Sequence, residues 1–196
     1  MDFNNIENLN NINPMDMMND SERNELNEIF SQSGMKDWTY DYSDNSLKLM
    51  VKMINTSSNP DPSYEKSGDS GFDLRAVTTS DGIVLEPLER VLVSTGLYFQ
   101  IPVGFELQIR PRSGLALKNG ITVLNSPGTV DAGYRGEIKV LLINLNNVKF
   151  LINNGDRIAQ GVIAPVQTNQ TTLFKKVNTL DTSDRNVGGF GSTGVK

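Results

Sequence analysis

From Leu47 onward the apolar positions of the chain fall in short runs: "LKLMVKMIN", "GIVLEP", "RVLVSTGLYFQIP", "FELQIRP", "GITVLN", "EIKVLLINL", "VKFLINN", "RIAQGVIAPV" and "TTLFKK". Each run is bounded by Gly, Pro, Asn or Asp, the residues that turn a chain between strands. No amphipathic helical stretch of ordinary length separates them. The pattern therefore predicts an all-β barrel or jelly roll and not alternating β and α units. Within this body the best helical candidate is one short turn after "RSGLA".

The first 45 residues follow a different pattern. They are asparagine-rich and of low complexity, as in "NNIENLNNIN", with no glycine before Gly34, and they read as an extension outside the core. One short helix is predicted over 21–33, with Asp20 or Ser21 as N-cap, Leu26, Ile29 and Phe30 on one face, and Gly34 as terminator. Its apolar face is too small to stand alone, so it docks on the domain, on a neighbouring subunit or on a protein partner, or it stays unfolded. After it, "DWTYDYSD" places Trp38, Tyr40 and Tyr42 at alternate positions, the spacing of one strand face.

Composition narrows the chemistry. With 196 residues the chain holds one domain with a proper core plus an appendage. It has no cysteine and no histidine, which removes disulfides, thiolate metal sites, the usual zinc ligands and a His general base. Acid–base work falls to a carboxylate. The net charge of −5 argues against broad binding to nucleic acid while leaving room for a local basic pocket. No segment approaches a membrane span and the N-terminus lacks a signal-peptide apolar region, so a soluble intracellular, cytoplasmic protein is expected.

Within the strand-rich body, several strings carry candidate chemistry. In "SGDSGFDLRA", Asp73 stands alone at the start of an apolar run, where its carboxylate suits either a turn or the hydration shell of a magnesium ion. In "RPRSGLALKNG", Arg112, Ser113 and Gly114 combine a charged fork, a hydroxyl and approachable amides at the start of a turn, which is phosphate chemistry; Arg110 is free to pair with a carboxylate. In "VLNSPGTVDAGYRGEIKV", Asn125 offers an amide that both donates and accepts, as a pyrimidine edge requires. Asp131, expected to be partly sheltered between Val130 and the Gly133 turn, suits either a hairpin turn or the acceptance of a proton from water. Tyr134 is placed to pack flat on a sugar. In "NGDRIAQG", Gln160 follows a turn onto a strand, where it faces a phosphate or solvent.

The tail "RNVGGFGSTG" cannot order itself by burial, because its four glycines raise the entropy cost and its apolar surface is small. It reads either as a disordered Gly/Ser tail or as an arm shaped by a ligand. Arg185, Ser192 and Thr193 then meet phosphate and Phe190 offers a ring to a base. It is not a Walker A loop, since no Lys-Ser/Thr pair or helix follows its last glycine.

In this order, "SGFDLRA", "PRSGLA", "NSPGTVDAGYRGEIKV", "GDRIAQ" and "RNVGGFGSTG" resemble the five motifs of the trimeric dUTP pyrophosphatases (dUTPases), from about Leu47 to Gly194. The resemblance implies a jelly-roll barrel over 46–180, a glycine-rich C-terminal arm over 181–196 that closes over the substrate, and the 1–45 extension outside the family pattern. It implies a homotrimer with active sites shared between subunits, hydrolysis of dUTP to dUMP and pyrophosphate, and Mg2+ as cofactor. By position, Asp131 is the general base, Arg112 and Gln160 act on the phosphate chain, and Asp73 holds the magnesium through water. Ser113, Gly114, Asn125, Tyr134, Arg185, Phe190, Gly191, Ser192 and Thr193 bind substrate. Stable nucleic-acid or membrane binding is not expected. One departure is Asn186, where the family's arm usually has glycine.

Two other readings stay open. The dCTP deaminases are similar in fold, but their catalytic glutamate falls on the strand where this chain has Leu141 and Leu142, and Glu137 comes too early. The other is an interaction protein on the same fold, using the extension to dock.

Overall fold

The computed structural model describes residues 19–21, 24, 25, 28, 36–41 and 46–189. Its strands run β1 (Trp38–Asp41), β2 (Ser46–Leu49), β3 (Lys52–Asn55), β4 (Phe72–Arg75), β5 (Ile83–Leu85), β6 (Arg90–Ser94), β7 (Leu97–Gln100), β8 (Phe105–Arg110), β9 (Ile121–Val123), β10 (Gly128–Val130), β11 (Lys139–Asn144), β12 (Phe150–Ile152) and β13 (Arg157–Pro165). The helix α1 (Ser113–Asn119) lies between β8 and β9, where the short turn after "RSGLA" is predicted. The fold is all-β, as the spacing of the apolar runs requires.

Two long runs divide. "LKLMVKMIN" breaks at Met50 and Val51 into β2 and β3, and "RVLVSTGLYFQIP" breaks at Thr95 and Gly96 into β6 and β7. "TTLFKK" corrects the sequence expectation, since it forms no strand and leaves Leu173 91% and Phe174 95% exposed. A strand is held by its ladder, and no described strand pairs with this segment.

Ladders join the strands in the orders β10-β8-β13-β4, β6-β11-β9, β1-β2, β12-β5 and β3-β7. Their inward positions build one core around Leu74, Leu85, Leu107, Val140, Leu142 and Ile152, each wholly buried. The period of two decides what faces outward: Phe72 and Leu74 of β4 point in, so Asp73 between them points away from the core. On β13 a bulge between Arg157 and Ala159 buries Ile158 and Ala159 together and turns Gln160 outward. Gln160 then pairs with Asp73 on one side and Arg110 on the other.

At the N-terminal end, Asp20, Ser21, Asn24, Glu25 and Glu28 are helical and exposed. The cap is Asn19, one residue before the nearer expected position, Asp20: its side-chain oxygen accepts the Ser21 N–H at 2.9 Å. Leu26, Ile29, Phe30 and Gly34 lie outside the described residues. The predicted aromatic strand is β1, which pairs antiparallel with β2 and sets Trp38 edge-on against Phe105, 6.4 Å between ring centroids; Tyr42 lies outside the described residues.

By its contacts the chain divides into two units, Met1–Val166 and Gln167–Lys196. Among the described residues no helix is long and apolar enough to cross a membrane.

Candidate active site

Two clefts hold most of the sequence-predicted site residues. The larger, 660 Å³, lies over the outward face of β4 and β13 and against the start of α1, with Asp73, Arg112, Ser113, Gly114, Arg157 and Gln160 among its lining residues. Its electrostatics follow from a three-residue knot. Arg112 Nε lies 2.8 Å from Asp73 Oδ1, and Arg157 Nη1 lies 3.4 Å from Asp73 Oδ2. Arg112 also donates through Nη1 to the Arg157 carbonyl at 3.2 Å. One carboxylate thus aligns two guanidiniums whose remaining N–H groups are available to an anion.

Backbone geometry completes this cleft. Arg112 takes the N-cap position of α1 in extended conformation without a side-chain cap, which leaves the first N–H groups of the helix, at Ser113 and Gly114, without intrahelical acceptors. Gln160 Nε2 donates to the Pro111 carbonyl at 2.9 Å and thereby holds the turn that carries Arg112. Gly71 packs closely beside it: a Cβ there would sit 2.9 Å from Gln160 Oε1 and 3.2 Å from the Gly161 carbonyl oxygen, so the glutamine would have to shift. In the structure the Gln160 amide donor thus serves the loop that carries Arg112.

The smaller cleft, 290 Å³, lies on the β10 side of β8 and takes Asn125, Gly128, Asp131, Tyr134, Glu137 and Lys139 among its lining residues. It shares no lining residue with the larger cleft. The hairpin between β10 and β11 shapes it: the Tyr134 N–H donates to the Asp131 carbonyl at 3.0 Å, and the Tyr134 hydroxyl donates to the Glu137 carbonyl at 3.1 Å. The tyrosine ring folds over Gly136, where a Cβ would come within 2.3 Å of its hydroxyl oxygen. Asp131 is exposed and not partly sheltered, a correction to the sequence reading. Val130 before it is buried at the end of β10, but the turn carries the next residue clear of the sheet.

The arm belongs to the second unit. Arg185 Nε donates to the Gly188 carbonyl at 3.0 Å and the Gly188 N–H returns a bond to the Arg185 carbonyl at 2.9 Å, closing a turn. Asn186 sits within it at φ 45, in the left-handed region that asparagine tolerates better than other residues with a Cβ. Phe190, Gly191, Ser192 and Thr193 lie outside the described residues.

Sequence reasoning missed Arg157 as a site residue. It follows the Gly155–Asp156 turn and meets Asp73, 84 positions earlier, only through the β13–β4 ladder. It also missed Glu137, whose carboxylate takes the Gly96 N–H at 2.9 Å across 41 positions. No local pattern signals either pairing.

Comparison with known proteins fits this arrangement. Residues 57–194 match the dUTPase family model. A deoxyuridine 5'-triphosphate nucleotidohydrolase of Finegoldia magna is 53% identical over 146 residues, covering 74% of this chain and 99% of the relative. One of Cytophaga hutchinsonii is 56% identical over 149 residues, covering 76% and 94%. Among solved structures, a variant dUTPase of Staphylococcus bacteriophage 80alpha with dUpNHpp superposes with a TM-score of 0.65 at 26% identity, covering 74% of this chain and 99% of that one. Because the matched span includes every residue lining both clefts together with most of the glycine-rich tail, the chain belongs to the dUTPase family.

Proposed function

We propose that this protein hydrolyses dUTP to dUMP and pyrophosphate, keeping uracil out of DNA and supplying dUMP for thymidylate synthesis. The observation that carries the reading is the Asp73–Arg112–Arg157 knot, a cationic fork beside the first amides of α1, in a chain of the dUTPase family. Asp131 accepts a proton from a water whose oxygen bonds to the α-phosphorus. The bond from that phosphorus to the α–β bridging oxygen breaks, and the electron pair leaves with pyrophosphate. Arg112, with Ser113, Gly114 and Gln160, holds the phosphate chain and stabilises the charge that grows on the leaving group. Asn125 reads the uracil edge, and Tyr134 packs under deoxyribose where a 2′-hydroxyl would clash. Arg185, Phe190, Gly191, Ser192 and Thr193 close over the bound nucleotide.

The residues present fit magnesium as an outer-sphere guest. Asp73 accepts from two guanidiniums, and a carboxylate has about four lone-pair sites, so it can also accept from an ion's water. Among the described residues no three His, Cys, Asp or Glu side chains gather to cage an ion directly. When bound, magnesium supplies charge neutralisation to the phosphate oxygens.

The family resemblance implies a homotrimer, and the separation of the two clefts on one chain fits sites that take the hairpin from one subunit and the arginine fork from another. The test is pyrophosphate release with magnesium from dUTP, dCTP, dTTP and UTP, with ammonia assayed in parallel. Release from dUTP alone is expected; ammonia from dCTP, or no turnover of any of the four, overturns the reading.

A further inference from the structure

The hairpin that forms the smaller cleft has to be held still, and the residues that hold it lie at its base. The chain bends between β6 and β7 at Thr95 and Gly96, and this bend grips residues 137 and 138. The Gly96 N–H donates to Glu137 Oε1 at 2.9 Å, the Thr95 hydroxyl donates to the Ile138 carbonyl at 2.6 Å, and the Ile138 N–H donates to the Leu97 carbonyl at 2.7 Å. Gly96 reaches this position at φ 70 and lies so close to Ser57 that a Cβ would stand 2.8 Å from its Cβ. Only glycine fits this close approach in the left-handed region, and its N–H faces the Glu137 carboxylate.

Glu137 is the one charged side chain in this grip. It is 20% exposed, its second oxygen lies 3.5 Å from the Ser94 hydroxyl and 3.4 Å from Lys139 Nζ, and its own carbonyl accepts the Tyr134 hydroxyl. Tyr134 in turn donates its N–H to the Asp131 carbonyl. Glu137 thus bonds the Gly96 amide through its carboxylate and the Tyr134 hydroxyl through its backbone carbonyl, and Tyr134 closes the turn on the Asp131 carbonyl through its own N–H.

We infer that Glu137 is a positioning residue: its carboxylate, tied to the Gly96 amide, fixes the Tyr134 ring and so sets the selectivity of the smaller cleft for a 2′-deoxyribose. The inference rests on the proposed dUTP hydrolysis and deepens it. Glu137 itself touches neither water nor phosphorus in that reaction. Losing the anchor loosens the wall against the sugar, so binding and discrimination change while the chemical step does not.

The test compares Glu137→Ala and Glu137→Gln in the full chain, measuring kcat and KM for dUTP and for UTP. Loss of the hydrogen bond to the Gly96 N–H in E137A is expected to raise KM for dUTP by about 10-fold and lower the preference for dUTP over UTP by a similar factor, with kcat within about 3-fold. E137Q keeps an oxygen for the Gly96 N–H and restores both values to within about 3-fold of the parent, because the acceptor and not the charge holds the loop. Parental KM and preference in E137A, or equal impairment in E137A and E137Q, overturns the inference. Where E137A does not fold, Tyr134→Phe removes only the hydroxyl bonded to the Glu137 carbonyl. A raised KM and reduced preference in Y134F then supports the path, and parental values overturn it. Asp131→Asn run alongside separates the two levels: parental turnover in D131N overturns the underlying reading, whereas lost turnover in D131N with an unchanged E137A overturns the role of Glu137 alone.

Discussion

Replacing Arg112 with alanine separates what the arginine does for the fold from what it does for the reaction. In the folded chain its side chain makes an ion pair to Asp73 at 2.8 Å and a hydrogen bond to the Arg157 carbonyl at 3.2 Å, and it is 30% exposed. Partly exposed pairs of this kind contribute about 0.2–1 kcal/mol after screening and side-chain entropy. Asp73 also keeps Arg157 at 3.4 Å, so the mutation does not strand a lone carboxylate. A loss near 1 kcal/mol corresponds to a fall in Tm of about 2–4 °C for a chain of this size. The catalytic cost is larger, because a preorganised donor aimed at charge that develops in the transition state is worth about 10²–10³ in kcat. Thermal unfolding and magnesium-dependent pyrophosphate release from dUTP, on the same preparation, read both quantities. A kcat within about 3-fold of the parent would refute the assignment of Arg112 to the phosphate chain. A Tm lowered by more than about 10 °C would refute the claim that the fork is a functional and not a structural element.

Three further outcomes are expected. Asp131→Asn reduces turnover by about 10²–10⁴-fold while titration with a non-hydrolysable dUTP analogue gives a Kd within a few-fold of the parent; a parallel loss of binding would contradict a general-base role. Removal of Asp184–Lys196 abolishes most activity yet leaves Tm within about 2 °C, since none of its described residues belongs to the buried core; full activity in the truncated protein would eliminate the arm from the site. Co-refolding inactive D131N with inactive R112A restores part of the activity if each site takes its hairpin and its arginine fork from different subunits, whereas mixtures that stay inactive place both in one chain.

Much of the candidate site is legible in the sequence because its parts are local. Asp73 between Phe72 and Leu74, and Arg112 just ahead of the α1 turn, are placed by patterns a few residues long. The two-residue period sends the acid outward, and the helix start exposes the amides beside the arginine. Asn186 was likewise marked as the departure from glycine, and it adopts the left-handed conformation that glycine would. The expected strand at "TTLFKK" failed because composition registers a tendency to extend but not the presence of a partner.

By itself the sequence determined the all-β class, the strand boundaries that coincide with turn residues, the family, and the residue types available for catalysis in a chain with no histidine or cysteine. Those are consequences of short-range stereochemistry and of which side chains exist. The tertiary structure alone decided that Asp73 binds Arg112 and Arg157, that Gln160 braces the Pro111 loop, that Asp131 stands exposed, and that Glu137 is tied to Gly96. Each of these rests on strand register, bulges and bends that bring together residues tens of positions apart. The free energy of such contacts is set by geometry created only when the whole core has packed.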